Sequence, residues 1–289
     1  ADPGQTFRHR VAWLPEVAAI LPSPLPGPER GKGEDGFLEA ASDGGCPDFL
    51  VGLGEAGTLE ILSSDGSRVP DVPPLPLEQD VTPQKLLEFL RRLARFSNVR
   101  TLENSDEDSP KGPLSLELSL LPDTYEYPQV VHDEMVNDLP PVREVESGRW
   151  ICLTIRNQGD QILHPYVLDL QPGWSIEVVY PQDEVELLER GKALHLPLTV
   201  YLPSGLEGRR NILKVFGTTH PTDFRFLSQP SLNKNRGAFR NSLGRPRTPL
   251  ERLFAEIAQD GPKTRHGSTC NSGRQWTSAQ VEFEIVKSD

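Results

Sequence analysis

The sequence predicts an α+β fold dominated by an antiparallel β-sandwich. Hydrophobic and polar residues alternate with a period of two in several segments after residue 113, and only two stretches show helical periodicity. Turn residues such as Pro172-Gly173 and Ser204-Gly205 separate the alternating segments. A half-solvated sheet must bury its apolar face, and a second packed sheet does so.

Composition limits the functional classes. The 289 residues suffice for one large or two modest domains, and the formal net charge of −12 argues against a general nucleic-acid partner. Glu16 and four prolines interrupt the apolar stretch 11–26, so we expect neither a signal peptide nor a membrane partner. Cys46, Cys152 and Cys270 lie far apart, which is typical of a reducing compartment and predicts a cytoplasmic protein.

Two units are predicted before residue 113. Residues 1–45 are rich in proline, glycine and charge and predict a linker or an extended N-terminal segment. Residues 46–112 predict a hairpin followed by a helix that begins at Thr82-Pro83. The apolar stripe of this helix consists of Leu86, Leu87, Leu90, Leu93 and Ala94. The arginines off the stripe should be in solvent: Arg91, Arg92 and Arg95.

Residues 113–289 predict the sandwich itself. The alternating segments are 114–120, 150–156, 176–180, 194–200 and 280–286, and the more apolar run 211–219 is typical of a central strand. A loop-and-helix insertion at 227–278 precedes the last strand, and its helix carries the stripe Leu250, Leu253, Phe254, Ile257 and Ala258. With seven or eight short strands, the pattern favours an immunoglobulin-like sandwich.

One short segment contains the two residue types that a cysteine peptidase needs. "HGSTCNSG" (266–273) places His266 four residues before Cys270. The ten residues before Cys270 include no strand-forming apolar residue, and Gly261 and Pro262 oppose a central strand. We therefore predict a solvent loop and no catalytic residue, with a cysteine hydrolase kept as an alternative. No spacing indicates a metal or a cofactor, and we expect neither.

Two groups of residues have possible binding roles. A basic stretch without acids would suit an anionic partner or the chain's own acidic loops: Lys234, Arg236, Arg240, Arg245 and Arg247. An aromatic ligand face would use Tyr166, Trp174 and Tyr201, although aromatic residues on strands more often belong to a core. His195 is expected on the solvent face of its strand, and Cys152 is expected to be a small core residue.

Two stretches carry a family resemblance: "VLDLQPGWSIEVVYP" (167–181) and "KVFGTTHPTDFRFL" (214–227). With further pieces between residues 47 and 286, they resemble the region that follows the peptidase domain in caspase-like proteins of fungi and bacteria (peptidase C14, metacaspase-related). In that family the region is a domain of unknown function without an assigned catalytic residue.

The resemblance implies a non-catalytic interaction or regulatory module. Its partner would be an upstream caspase-like peptidase domain or another protein. Two alternatives stay open: a carbohydrate- or ligand-binding β-sandwich, and a residual cysteine hydrolase that uses Cys270 and His266.

Overall fold

The computed structural model is an α+β architecture with three sheets. It describes residues 9–20, 38–41, 45–77, 82–104, 114–182, 184–202, 208–232, 249–258 and 276–288. The elements before residue 105 are β1 (His9–Trp13), α1 (Pro15–Ala18), β2 (Leu38–Ala40), β3 (Phe49–Leu53), β4 (Thr58–Ser63), β5 (Leu75–Pro76) and α2 (Thr82–Thr101).

The remaining described elements follow residue 113. They are β6 (Leu114–Leu120), α3 (Asp133–Asn137), β7 (Glu144–Glu146), β8 (Trp150–Asn157), β9 (His164–Leu170), β10 (Ile176–Tyr180), β11 (Ala193–Thr199), β12 (Gly208–Thr218), α4 (Pro249–Ala258) and β13 (Trp276–Val286).

The first five strands form the N-terminal sheet, in the order β2-β1-β3-β4-β5. The antiparallel pair β3–β4 confirms the predicted hairpin. β1 lies parallel to both β2 and β3, so the N-terminal segment contributes two strands where the sequence predicted a linker. Both strands are too short to show periodicity, and parallel pairing is a tertiary contact that the local pattern does not contain.

Helix α2 packs on the N-terminal sheet through the predicted stripe. Leu86, Leu90, Leu93 and Ala94 are fully buried, while Leu87 is half-buried. The three arginines off the stripe are half-buried as well, so their expected solvation is wrong. These arginines are half-buried because α2 has a second contact surface: the C-terminal half of the helix packs on another sheet.

That second sheet is the central sheet, in the order β10-β9-β12-β13-β7. β12 occupies its middle position, as the apolar character of 211–219 predicted. β13 begins at Trp276, within the segment predicted as insertion, and pairs with β12 over eleven residues. His164 begins β9 and pairs with Thr218 of β12. A parallel pair, β7–β13, closes one edge.

The short sheet has the order β11-β8-β6, and both of its pairs are antiparallel. One face shares a hydrophobic core with the central sheet. The short sheet contributes Leu114, Leu118, Ile151, Leu153 and Ile155, and the central sheet contributes Val145, Val167, Leu213, Val215, Phe283 and Ile285. The apolar residues that alternate along β8 and β13 therefore face this core.

The other face of the central sheet is covered by helices and a 3-10 turn at Phe224–Leu227. Leu250, Phe254 and Ile257 of α4 are buried there, which confirms the predicted amphipathic helix. The C-terminal half of α2 reaches the same layer through Phe96 and Val99, and Leu102, directly after the helix, is buried there as well. Helix α2 therefore belongs to two cores at once.

None of the described helices combines the length and the apolar character that crossing a membrane requires.

Candidate interaction surface

Residues 121–143, the strap, run across the outer face of the short sheet. Leu121, Tyr125, Val131 and Val136 are buried together with Cys152 of β8. The amide of Val142 donates to the carbonyl oxygen of Leu118 at 2.8 Å and ties the end of the strap to β6. Because the strap covers this face, β8 is buried on both sides. Burial of these apolar side chains fixes the strap on the sheet.

A chain of polar contacts adds a second anchor. Nδ1 of His195 lies 3.0 Å from Oγ1 of Thr154, and Nε2 lies 3.0 Å from Oδ1 of Asp133 in α3. Sγ of Cys152 lies 3.9 Å from the same Thr154 oxygen. If Nε2 donates to Asp133, then Nδ1 accepts the Thr154 hydroxyl proton and all these groups are paired. The network connects β8, β11 and the strap.

His195 is therefore not a solvent-facing histidine. Its side chain is 8% exposed, because the strap lies over the strand face on which it stands. The alternation placed His195 on the correct face of its strand, but the prediction that this face is exposed to solvent was wrong. Alternation identifies which side chains share a face but not what covers that face.

The described thiols are not arranged for nucleophilic chemistry. Cys152 is buried, as predicted, and burial raises its pKa to about 11, which keeps the thiol protonated at neutral pH. Cys46 is an exposed free cysteine. His266 and Cys270 lie outside the described residues, as do the basic residues Lys234, Arg236, Arg240, Arg245 and Arg247.

The outer surface of the strap presents apolar side chains to solvent. Tyr127 is 62% exposed and Val130 is 65% exposed. The Tyr127 ring lies parallel to the half-buried indole of Trp150, with centroids 5.7 Å apart and planes inclined by 3°. Tyr125 packs edge-on against the same indole at 5.4 Å. Two exposed apolar residues are thus held on a fixed aromatic base.

Exposed carboxylates accompany these apolar residues along the strap. The strap has a single lysine or arginine, the exposed Arg143 at its end, and five acids that are all exposed: Asp123, Glu126, Asp133, Glu134 and Asp138. Asp123 pairs with Arg149, and Asp133 contacts His195. The other three acids form no ion pair with a described residue. We name the exposed Tyr127 and Val130 with these three acids the acidic-aromatic surface.

The predicted aromatic ligand face does not form. Tyr166 is buried under the 3-10 turn, and its hydroxyl oxygen accepts a hydrogen bond from the amide of Thr222 at 2.9 Å. Trp174 is half-buried between the two cores that α2 joins. Tyr201 alone is well exposed. Tyr166 packs into the helical face of the central sheet, so it cannot share a solvent platform with Tyr201.

A second concave site lies where the N-terminal sheet meets the central sheet. A cavity of about 400 Å³ is lined by residues 68–73. Asp71 in this segment has φ 58° and accepts hydrogen bonds from Arg209, the shortest being 3.0 Å. Trp174 has φ 64° and donates from Nε1 to the Pro70 carbonyl oxygen at 2.8 Å. Left-handed backbone costs a bulky residue about 1–3 kcal/mol, so packing must hold Trp174 there.

Sequence reasoning missed the strap entirely. Its residues show neither helical nor strand periodicity, and its helix α3 has only five residues. One signal was available: Tyr125, Tyr127 and Trp150 stand near an acidic run that lacks any basic residue. Aromatic residues are enriched at protein interfaces, and unbalanced surface charge favours a partner of the opposite sign.

The chain matches no protein-family model, and no curated protein matches it in sequence.

Proposed function

We propose that this chain is a non-catalytic interaction module that accompanies a caspase-like cysteine peptidase. The acidic-aromatic surface carries the proposal, because aromatic residues are enriched at protein interfaces and its unpaired carboxylates favour a partner of complementary charge. The resemblance of residues 167–181 and 214–227 to the region after such peptidases supplies the partner class. The protonated, buried thiol of Cys152 agrees with a module that does no cysteine chemistry.

We also propose that the central and short sheets form an immunoglobulin-like sandwich. Their shared core and their antiparallel strand pairs support this assignment. The parallel pair β7–β13 and the helices on the outer face of the central sheet are additions to such a sandwich. In this arrangement the strap is the outer layer on the opposite side of the molecule from α4.

The test uses the peptidase segment encoded upstream of this chain in the parent gene, expressed separately. We expect it to co-elute with the chain in size-exclusion chromatography and its kcat/KM toward a fluorogenic peptide to change at least threefold. The Tyr127→Ser/Val130→Ser double variant should reduce both effects, whereas Ile162→Ser should not. Separate elution together with an unchanged kcat/KM would refute the proposal.

Ligand binding has one observation in its favour, the cavity at residues 68–73. The Asp71 carboxylate in its lining is the polar group that a ligand could contact. A glycan and metabolite screen by thermal shift tests this function: a saturable stabilisation that Asp71→Asn abolishes would support it, and no shift would exclude it.

A further inference from the structure

We propose that the acidic-aromatic surface binds a cationic polypeptide segment in which an apolar side chain lies next to lysine or arginine. This inference deepens the proposed function, because it names the chemistry of the partner. It rests on three properties of the strap: its exposed apolar residues, its uncompensated carboxylates and its rigid attachment to the short sheet.

The apolar residues supply the contact area. Single exposed apolar residues are common on protein surfaces and need no explanation. Tyr127 and Val130 differ because they are three positions apart, within and directly after the turn closed by the Gln129 amide and the Glu126 carbonyl oxygen, and the tyrosine ring is held against Trp150. Releasing water from both side chains on binding would be favourable, and the fixed ring loses little conformational entropy.

The charge of the surface selects the partner. Glu126, Glu134 and Asp138 have no basic partner among the described residues. Glu134 lies in the first turn of α3, and Asp138 caps the C-terminal end of this helix. A negative surface repels nucleic acid and anionic lipid headgroups, so the complementary partner is cationic. The exposed face of Tyr127 also attracts a guanidinium or ammonium group through cation–π interaction.

The anchors make the surface pre-organised. The apolar residues under the strap and the His195–Asp133 contact fix the backbone on both sides of Tyr127 and Val130. Binding of a partner therefore requires little further loss of conformational entropy, because folding has already ordered this surface. The ends of the strap are held as well, by Leu121 and by Val142.

The test measures fluorescence anisotropy with three labelled twelve-residue peptides and the full chain. The first peptide contains four arginines and two leucines, the second replaces leucine by serine, and the third replaces arginine by glutamate. We expect the first to bind most tightly and the third not at all. The affinity of the first should fall at least tenfold between 25 and 500 mM NaCl, because salt screens exposed charges.

Variants locate the binding. Tyr127→Ser/Val130→Ser should weaken the first peptide at least tenfold with little effect on its salt dependence. Glu126→Gln/Glu134→Gln/Asp138→Asn should weaken it and flatten the salt dependence. The control Ile162→Ser removes another exposed apolar residue, 53% exposed and beyond the far end of β8, and should bind as the unchanged chain does. All the substituted side chains are exposed, and Tyr127 also contacts the Trp150 ring.

The inference is overturned if the cationic peptide does not bind in 25 mM NaCl, or if the strap variants bind as well as the Ile162→Ser control. Its failure can be separated from that of the proposed function. Co-elution with the peptidase that neither salt nor the strap variants disturb would refute only this inference. Peptide binding at the strap without peptidase association would refute only the proposed function.

Discussion

Lys214 places a charge where the fold buries it. The residue is 1% exposed on β12, and its Nζ donates to the carbonyl oxygen of Arg100 at 2.7 Å, at the C-terminal end of α2. The helix end favours a positive charge, since its last carbonyl groups lack intrahelical partners. Desolvation is the larger effect and lowers the pKa of Lys214 to about 8, although Glu103 partly opposes it.

This lowered pKa predicts a pH-dependent stability. Below pH 8 the lysine is protonated in both the folded and the unfolded state, so the cost of burying the charge is fully present. Between pH 8 and about 10.5 the folded chain has released the proton and the unfolded chain still binds it, so the free energy of unfolding rises with pH. The total rise is about 3 kcal/mol.

Lys214→Met removes this contribution while keeping the apolar stem. We expect the free energy of unfolding of the variant to lack the rise between pH 8 and 10 that the unchanged chain shows. Urea denaturation of both proteins at pH 7, 8, 9 and 10 measures the difference. Parallel pH profiles of the two proteins would show that Lys214 is not the group responsible.

At the scale of elements, the strap depends on the polar contacts that attach it to the short sheet. Thr154→Val keeps the side-chain volume but leaves Nδ1 of His195 without a partner. We expect a loss of about 1–3 kcal/mol in the free energy of unfolding, because a buried polar atom becomes unpaired. Hydrogen exchange in residues 121–139 should become faster, since opening of the strap becomes easier.

The matched control is Thr199→Val on the neighbouring strand of the same sheet. The Thr199 hydroxyl makes no hydrogen bond to a described residue, so this variant should change the free energy of unfolding by less than about 0.5 kcal/mol. Urea denaturation and hydrogen-exchange mass spectrometry measure both variants. Equal exchange of the strap in Thr154→Val and Thr199→Val would contradict the anchoring role.

Elements with their own periodicity were predictable from the sequence. Helix α2 and strands β6, β8 and β12 were each indicated by the spacing of their apolar residues. β1 and β2 were not, because they are short and gain their hydrogen bonds from a distant segment. The strap was missed for the same physical reason: its conformation follows from the sheet beneath it and not from its own propensities.

The candidate site was predicted less well than the fold. The sequence supplied the residue types of a ligand face, Tyr166, Trp174 and Tyr201, but burial separates them. The acidic-aromatic surface combines Tyr127 with Trp150, twenty-three positions further along the chain, and this pairing depends on the path of the strap. Residue composition gives the chemistry of such a surface, whereas tertiary packing decides which side chains meet.

For the whole molecule, α2 couples two hydrophobic cores. Leu90 is buried against the N-terminal sheet and Leu102 is buried against the central sheet. We expect Leu90→Ala and Leu102→Ala each to lower the free energy of unfolding by about 2–5 kcal/mol. Both variants should shift the same single unfolding transition, because unfolding of α2 exposes both hydrophobic cores.

Urea denaturation followed in parallel by far-ultraviolet circular dichroism and by tryptophan fluorescence tests this coupling. The control Leu53→Ala alters a more exposed leucine and should have a smaller effect. Two resolved transitions, one moved by Leu90→Ala and the other by Leu102→Ala, would show that the cores unfold independently.

Because α2 packs in two hydrophobic cores, it also limits where the chain can be truncated. A truncated product that begins at residue 113 would lose Phe96, Val99 and Leu102. The hydrophobic surface that they cover on the central sheet would then be exposed to water. A product ending before residue 77 would lack the helix that seals the first sheet. Either truncated product, expressed alone, should therefore be insoluble. Proteolytic cleavage of the folded chain between residues 77 and 113 should leave the two fragments associated.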